Sequence, residues 1–206
     1  MHNKIFSIIV IMLFILTIMS VNVFAGSEEN PEINDEEEND VQDNFNIISA
    51  WFFEKEDEPD YLYTALKLKN INTIKLKQHL VVSWEHEDVH CSAGLYIGYD
   101  LDLWFAYEGG YGHGWWFQEH YQEIEGEFDE ETGIITCKTP KNIINSPEKG
   151  DVLTNTRAHA FKRFGFIGRM GFDRWLFHSL IFYIFGKSAS DNAPNDGYGK
   201  DYIIQY

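Results

Sequence analysis

Apolar and polar residues alternate with a period of two through several stretches of the chain, the pattern of strands that present one face to a core. In Tyr61–Lys69, Leu62, Leu66 and Leu68 fall on one side and Tyr63, Lys67 and Lys69 on the other. In Gln78–Glu85, Leu80, Val82 and Trp84 oppose His79, Ser83 and Glu85. The same reading predicts strands over Asn46–Phe53, Ser92–Tyr99, Asp102–Tyr107, Trp115–Glu125, Gly133–Thr139, Val152–Phe161 and Asp201–Tyr206. Turn chemistry falls between them, as in Asp129-Glu130-Glu131-Thr132-Gly133 and Ser146-Pro147-Glu148-Lys149-Gly150-Asp151. About eight or nine short strands with few helices predict an all-β fold, an antiparallel β-sandwich of jelly-roll or immunoglobulin-like type.

One segment departs from that pattern. Arg174 to Phe185 is apolar nearly all round, with Asp173 placed to cap its start and Gly186 to end it, which predicts a short helix inserted before the last strand. Its 12 residues would span roughly 18 Å, too short to cross a bilayer.

The beginning of the chain follows a different logic. The amino terminus and Lys4 precede the uncharged, mainly apolar residues Ile5 to Ala25, and Val23-Phe24-Ala25 supplies slim residues at the spacing a signal peptidase reads. Residues 1–25 are therefore expected to be a signal peptide, or a signal anchor if left uncut, and the protein to be secreted or displayed at the cell surface. Ser27 to Asp43 carries nine carboxylates and no basic residue, so residues 26–43 read as a disordered acidic spacer. Residues 44–206 remain as one domain.

Charge and cysteine content narrow the function classes. The chain has a formal net charge of −17, and residues 44–206 hold 24 Asp and Glu against 15 Lys and Arg. A grip on nucleic acid, which requires clustered cations, is excluded on that balance. All six Trp lie in this region. Cys91 and Cys137 form an even pair in an exported domain, which predicts a disulfide.

Several phrases in order carry a resemblance: Asp60-Tyr61-Leu62-Tyr63, then Gly133-Ile134-Ile135-Thr136-Cys137-Lys138-Thr139-Pro140-Lys141, then Gly150-Asp151-Val152-Leu153, and at the end Ala193-Pro194-Asn195-Asp196-Gly197-Tyr198-Gly199-Lys200-Asp201-Tyr202. Together they resemble the extracellular DOMON-like β-sandwich domains, which include the family 9 carbohydrate-binding modules. The resemblance spans most of Asn46–Tyr206 and implies a jelly-roll-like sandwich, often with structural calcium, among relatives that bind sugars or haem. Arg157 to Lys187 departs from the family pattern as an insertion.

Four constellations could carry chemistry. His86-Glu87-Asp88-Val89-His90 matches H-E-x-x-H, in which a helix aligns two imidazoles on zinc and the glutamate activates water for hydrolysis. Alternation on both sides predicts a hairpin turn here instead. From Trp104 to Phe117, rings alternate with glycines, and Trp104, Tyr107, Tyr111, Trp115 and Trp116, with Glu108 and His113 as hydrogen-bonding groups, could stack and hold a sugar. The same rings could simply cap the sandwich. Asp191, Asn195, Asp196 and Asp201 offer oxygen ligands for calcium, although ordinary Asn and Asp turn chemistry accounts for them too. No other cofactor is called for.

Finally, Arg157 to Lys187 holds six basic residues and one acid, against the sign of the rest of the domain. With Trp175, Phe177, Leu180, Ile181 and Ile184 it has the composition of an interfacial membrane helix, or of a cover on an open face of the sandwich. The expected role is a non-enzymatic extracellular binding module with glycan as the ligand class. A structural or interaction protein of the envelope, docked on membrane through residues 157–187, is the alternative, and a zinc hydrolase the third.

Overall fold

Alternating segments pair as predicted, because each exposes a row of apolar side chains that only a facing sheet can bury. The computed structural model describes residues 26–35, 43, 45–70, 78–97, 102–108, 121–162 and 190–206. Within them lie β1 (Ile33–Asn34), β2 (Ile47–Phe53), β3 (Tyr61–Leu68), β4 (Gln78–His86), β5 (Val89–Ile97), β6 (Asp102–Glu108), β7 (Tyr121–Glu123), β8 (Glu125–Asp129), β9 (Ile134–Pro140), β10 (Val152–Lys162), β11 (Ser190–Ala193) and β12 (Tyr202–Ile203). A smaller sheet runs β1-β2-β3-β9-β8 and a larger one β11-β10-β4-β5-β6-β7, with β12 joining the start of β10. All pairings are antiparallel. The fold is an antiparallel all-β sandwich.

Between the sheets lie Ala50, Phe52, Leu62, Leu66 and Ile135 from one side and Leu80, Val82, Trp84, Ala93, Leu95 and Ala158 from the other. Phe52 meets Trp84 edge-on with centroids 5.5 Å apart and lies 5.5 Å from the Tyr202 ring. Such ring pairs add about 0.5–1.5 kcal/mol each to the burial itself. β10 serves three partners because it bulges between Thr154 and Arg157, where Asn155 takes φ 52°. Its first residues pair with β12, its later ones with β11, and its other edge follows β4.

The C-terminal segment is held by a buried ion pair. Lys141 Nζ lies 2.6 Å from Glu54 Oε1, while Tyr202 Oη and Gln205 N donate to Glu54 Oε2 at 3.1 and 2.6 Å. Lys141 also donates to the Tyr206 carbonyl at 2.6 Å.

Three expectations change. The spacer expected over residues 26–43 is structured at its start: Ile33 is fully buried and pairs with Ala50, and Glu32 is buried beside Phe52. A single apolar residue amid carboxylates is enough to seat this strand on the edge of β2. The predicted disulfide is absent, and Cys91 and Cys137 are buried free thiols. Cys91 sits on β5 of the larger sheet and Cys137 on β9 of the smaller one. Sheets packed face to face stand about 10 Å apart, beyond the Cα separation of about 4.4–6.8 Å that a disulfide spans. Of the strand expected over Trp115–Glu125, residues 115–120 lie outside the described residues and the rest falls in two strands of different sheets, divided at Ile124, whose N–H donates to the Trp104 carbonyl at 3.1 Å. The helix predicted over 174–185 lies outside the described residues.

Candidate functional site

The H-E-x-x-H pentapeptide forms the β4–β5 turn, with Glu87 and Asp88 at φ 49° and 64°. Positive φ at both central residues is the two-residue hairpin geometry that matches strand twist. His86 pairs with Val89 and Glu85 with His90, so the two imidazoles project from opposite faces of the sheet and cannot share a metal ion. His86 instead points inward. Asn145 Nδ2 donates to His86 Nδ1 at 3.2 Å and to the His86 carbonyl at 3.1 Å, which leaves Nε2 protonated to donate to Asp151 Oδ2 at 3.1 Å. Asp151 also accepts the Glu148 N–H at 2.7 Å, and that bond, with the His86 contact behind it, holds its carboxyl below the usual range. This cluster ties the β9–β10 connection onto the β4–β5 hairpin.

Of the aromatic cluster, Trp104 pairs with Leu95 and faces the smaller sheet. A Cβ on Gly126 of β8 would lie 1.9 Å from its Cε3, so the Trp104 ring fills the space a side chain would take and helps close the sandwich. Tyr107 pairs with Ser92 and projects from the opposite face of the larger sheet. Glu108, on the Trp104 face but exposed, accepts the Asn145 N–H at 3.0 Å. The three are therefore divided between two faces, and Tyr111, His113, Trp115 and Trp116 lie outside the described residues.

The oxygen-rich residues are also dispersed. Asp191 is buried and inward, opposite Ala160, and its carboxylate accepts the Ile47 N–H at 2.7 Å and the Asn192 N–H at 2.8 Å. Asn195, Asp196 and Asp201 are exposed. Among the described residues, no group of three or more His, Cys, Asp or Glu side chains is arranged to hold a metal. Of the basic segment, Arg157 is described on β10, whereas Trp175, Phe177, Leu180, Ile181 and Ile184 lie outside the described residues.

What the fold does assemble is a fixed, exposed ring. Tyr198 is 53% exposed, yet its segment is anchored on both sides: Gly199 N donates to Thr156 O at 2.9 Å, Thr156 Oγ1 to Lys200 O at 3.0 Å, and Lys200 N to Glu32 O at 2.8 Å. Gly199 is obligatory, since a Cβ there would lie 2.6 Å from both Glu32 O and Thr156 Oγ1. The Arg157 guanidinium sits 4.3 Å from the Tyr198 ring centre, and its Nε donates to Gly197 O at 2.8 Å. One cation therefore holds both ring and turn.

Polar groups lie in the same turn and on the strands that adjoin it. Asn195 and Asp196 are exposed in the same turn. On the adjoining strand, His159 Nδ1 and Asn192 Oδ1 are 2.7 Å apart. Burial lowers the His159 pKa, the Asn192 contact opposing this and Arg157 adding to it. A neutral His159 donating from Nδ1 occupies the Asn192 carbonyl oxygen and leaves that side chain's amide hydrogens as donors. Sequence reasoning did not single out Tyr198. The available signal was a lone ring between two glycines in a polar turn, Gly197-Tyr198-Gly199, where no core could claim it.

Comparison with protein-family profiles, characterised proteins and solved structures finds no match to the chain.

Proposed function

We propose that this protein is a non-enzymatic, extracytoplasmic binding module whose ligand is a glycan, taken at the edge where β10 and β11 meet the 194–200 turn. The carrying observation is Tyr198: the most exposed large apolar side chain among the described residues, held still by Arg157 and by a turn hydrogen-bonded on both flanks. A fixed ring costs little entropy on binding and offers a flat apolar face to the C–H side of a sugar, while Asn192, Asn195 and Asp196 supply donors and acceptors for its hydroxyls. The DOMON-like resemblance carries the same expectation of sugar binding, and the N-terminal leader the expectation of export.

The experiment is affinity electrophoresis of the secreted protein through gels containing a panel of neutral and acidic polysaccharides. At least one polysaccharide should retard the protein, Tyr198→Ala should abolish the retardation, and Tyr198→Phe should keep most of it. Retardation undiminished in Tyr198→Ala, or none with any polysaccharide, would contradict the reading.

A further inference from the structure

Gly26 is buried in a place with no room for a side chain. A Cβ built on it would lie 2.1 Å from Glu32 Oε2, 2.6 Å from Glu32 Oε1 and 2.5 Å from the Phe52 carbonyl oxygen. The Gly26 Cα is thus pressed against a carboxylate and a carbonyl, with its own nitrogen one bond away. The turn that returns Gly26 to this spot is closed by Asn30 N donating to Ser27 O at 3.1 Å, and Ile33 pairing with Ala50 fixes the strand beyond it.

Glu32 itself is an unusual acid. Its carboxylate is buried and accepts the Phe52 N–H at 2.9 Å. Burial raises its pKa, against the Phe52 and Glu32 N–H groups and the charge of Lys200. Among the described residues, none of the ion pairs reaches it. A buried carboxylate without a contacting cation is costly to keep.

We propose that the chain is cut between Ala25 and Gly26, and that the α-ammonium released at Gly26 is the counter-ion of Glu32. The cut is a hydrolysis carried out by a signal-peptidase-type endopeptidase. Water adds across the Ala25–Gly26 peptide bond, the Ala25 carbonyl leaves as a carboxylate, and the Gly26 nitrogen takes up the protons to become –NH₃⁺. Val23 and Ala25 place slim side chains three residues and one residue before that bond. In the uncut chain the same nitrogen is a neutral amide. Cutting converts it to a charge beside a buried acid that none of the ion pairs among the described residues reaches, and only glycine fits at the new terminus. Removal of the leader and completion of this corner of the fold are then the same event, independent of what the sandwich binds.

The test uses the full chain, leader included, produced in an exporting host. Intact mass and terminal sequencing should give a mature protein beginning at Gly26. Its α-amine should resist reductive methylation in the native state and react after unfolding, and Glu32→Gln should restore native-state reactivity. An alanine inserted between Ala25 and Gly26 displaces the ammonium by one residue and should lower the thermal midpoint by several degrees. On that background Glu32→Gln should cost little, whereas in the parent it should shift the folding equilibrium by at least about tenfold. A mature chain beginning elsewhere, an α-amine equally reactive folded and unfolded, or a Glu32→Gln penalty unchanged by the insertion would each overturn the proposal. Should Glu32→Gln not fold, methylation of the parent decides alone.

Discussion

His86 accepts from Asn145 on one ring nitrogen and donates to Asp151 from the other, so truncating it strands two polar partners at once. His86→Ala should cost about 2–4 kcal/mol in denaturant unfolding. The pH dependence follows from Asp151. A carboxyl whose folded pKa lies below its ordinary value of 3.8 adds stability above that value and loses it as pH falls through the folded one. The thermal midpoint should therefore drop below about pH 4, and Asp151→Asn should flatten that part of the curve. The two thiols give a second residue-scale expectation: burial pushes Cys91 up to about 12, helped by the Glu108 charge, and burial pushes Cys137 up to about 12 against the Thr64 hydrogen bond. At pH 8, without reductant, a thiol reagent should find none in the native protein and two after unfolding. No thiols after unfolding would restore the disulfide. Chemistry at single residues was only partly legible in the sequence. The motif at His86–His90 could be assigned to a turn from its flanking alternation, but whether a cysteine faces its partner or a ring stands clear of the core depends on which sheet each strand joins.

Strands of seven or more residues were legible because they repeat their period at least three times. β1 and β11, at two and four residues, have no period to read, and β11 presents itself as the polar run Ser190-Asp191-Asn192, whereas β12 (Tyr202–Ile203) falls inside the strand expected over Asp201–Tyr206 but is shorter than it. Its Asp191 sits in the interior because it accepts the backbone N–H of Ile47, a use that only the assembled sheets reveal. The C-terminal element depends on the Glu54–Lys141 pair in the same long-range way. Lys141→Met leaves Glu54 as a buried charge without its cation and should cost about 3–5 kcal/mol, and combining it with Glu54→Gln should recover part of that loss. Denaturant unfolding of the two single variants and the double variant measures the coupling. Closure at the other edge rests on Gly126, where valine would drive Cβ into the Trp104 ring. Gly126→Val should lower stability by about 1–3 kcal/mol. A midpoint equal to the parent would show that the Trp104 contact is dispensable.

At the scale of the molecule, the sandwich belongs to a strongly acidic chain, with a formal charge of −17 over its full length, and holds the Tyr198 ring out at an edge. Among the described residues, the other exposed large apolar side chains are Val152, Ile203 and Tyr206. Val152 and Ile203 pair directly across β10 and β12, and Lys149 lies 5.9 Å from the Tyr206 ring centre. Tyr206 makes a suitable control, because its ring is exposed without an anchored guanidinium against it. The most direct test is calorimetric titration of the parent, Tyr198→Ala and Tyr206→Ala with the polysaccharide that the gels identify. The account predicts that Tyr198→Ala loses about 1–2 kcal/mol of binding, roughly five- to thirtyfold in Kd, while Tyr206→Ala matches the parent. Equal affinity in the parent and Tyr198→Ala would contradict it.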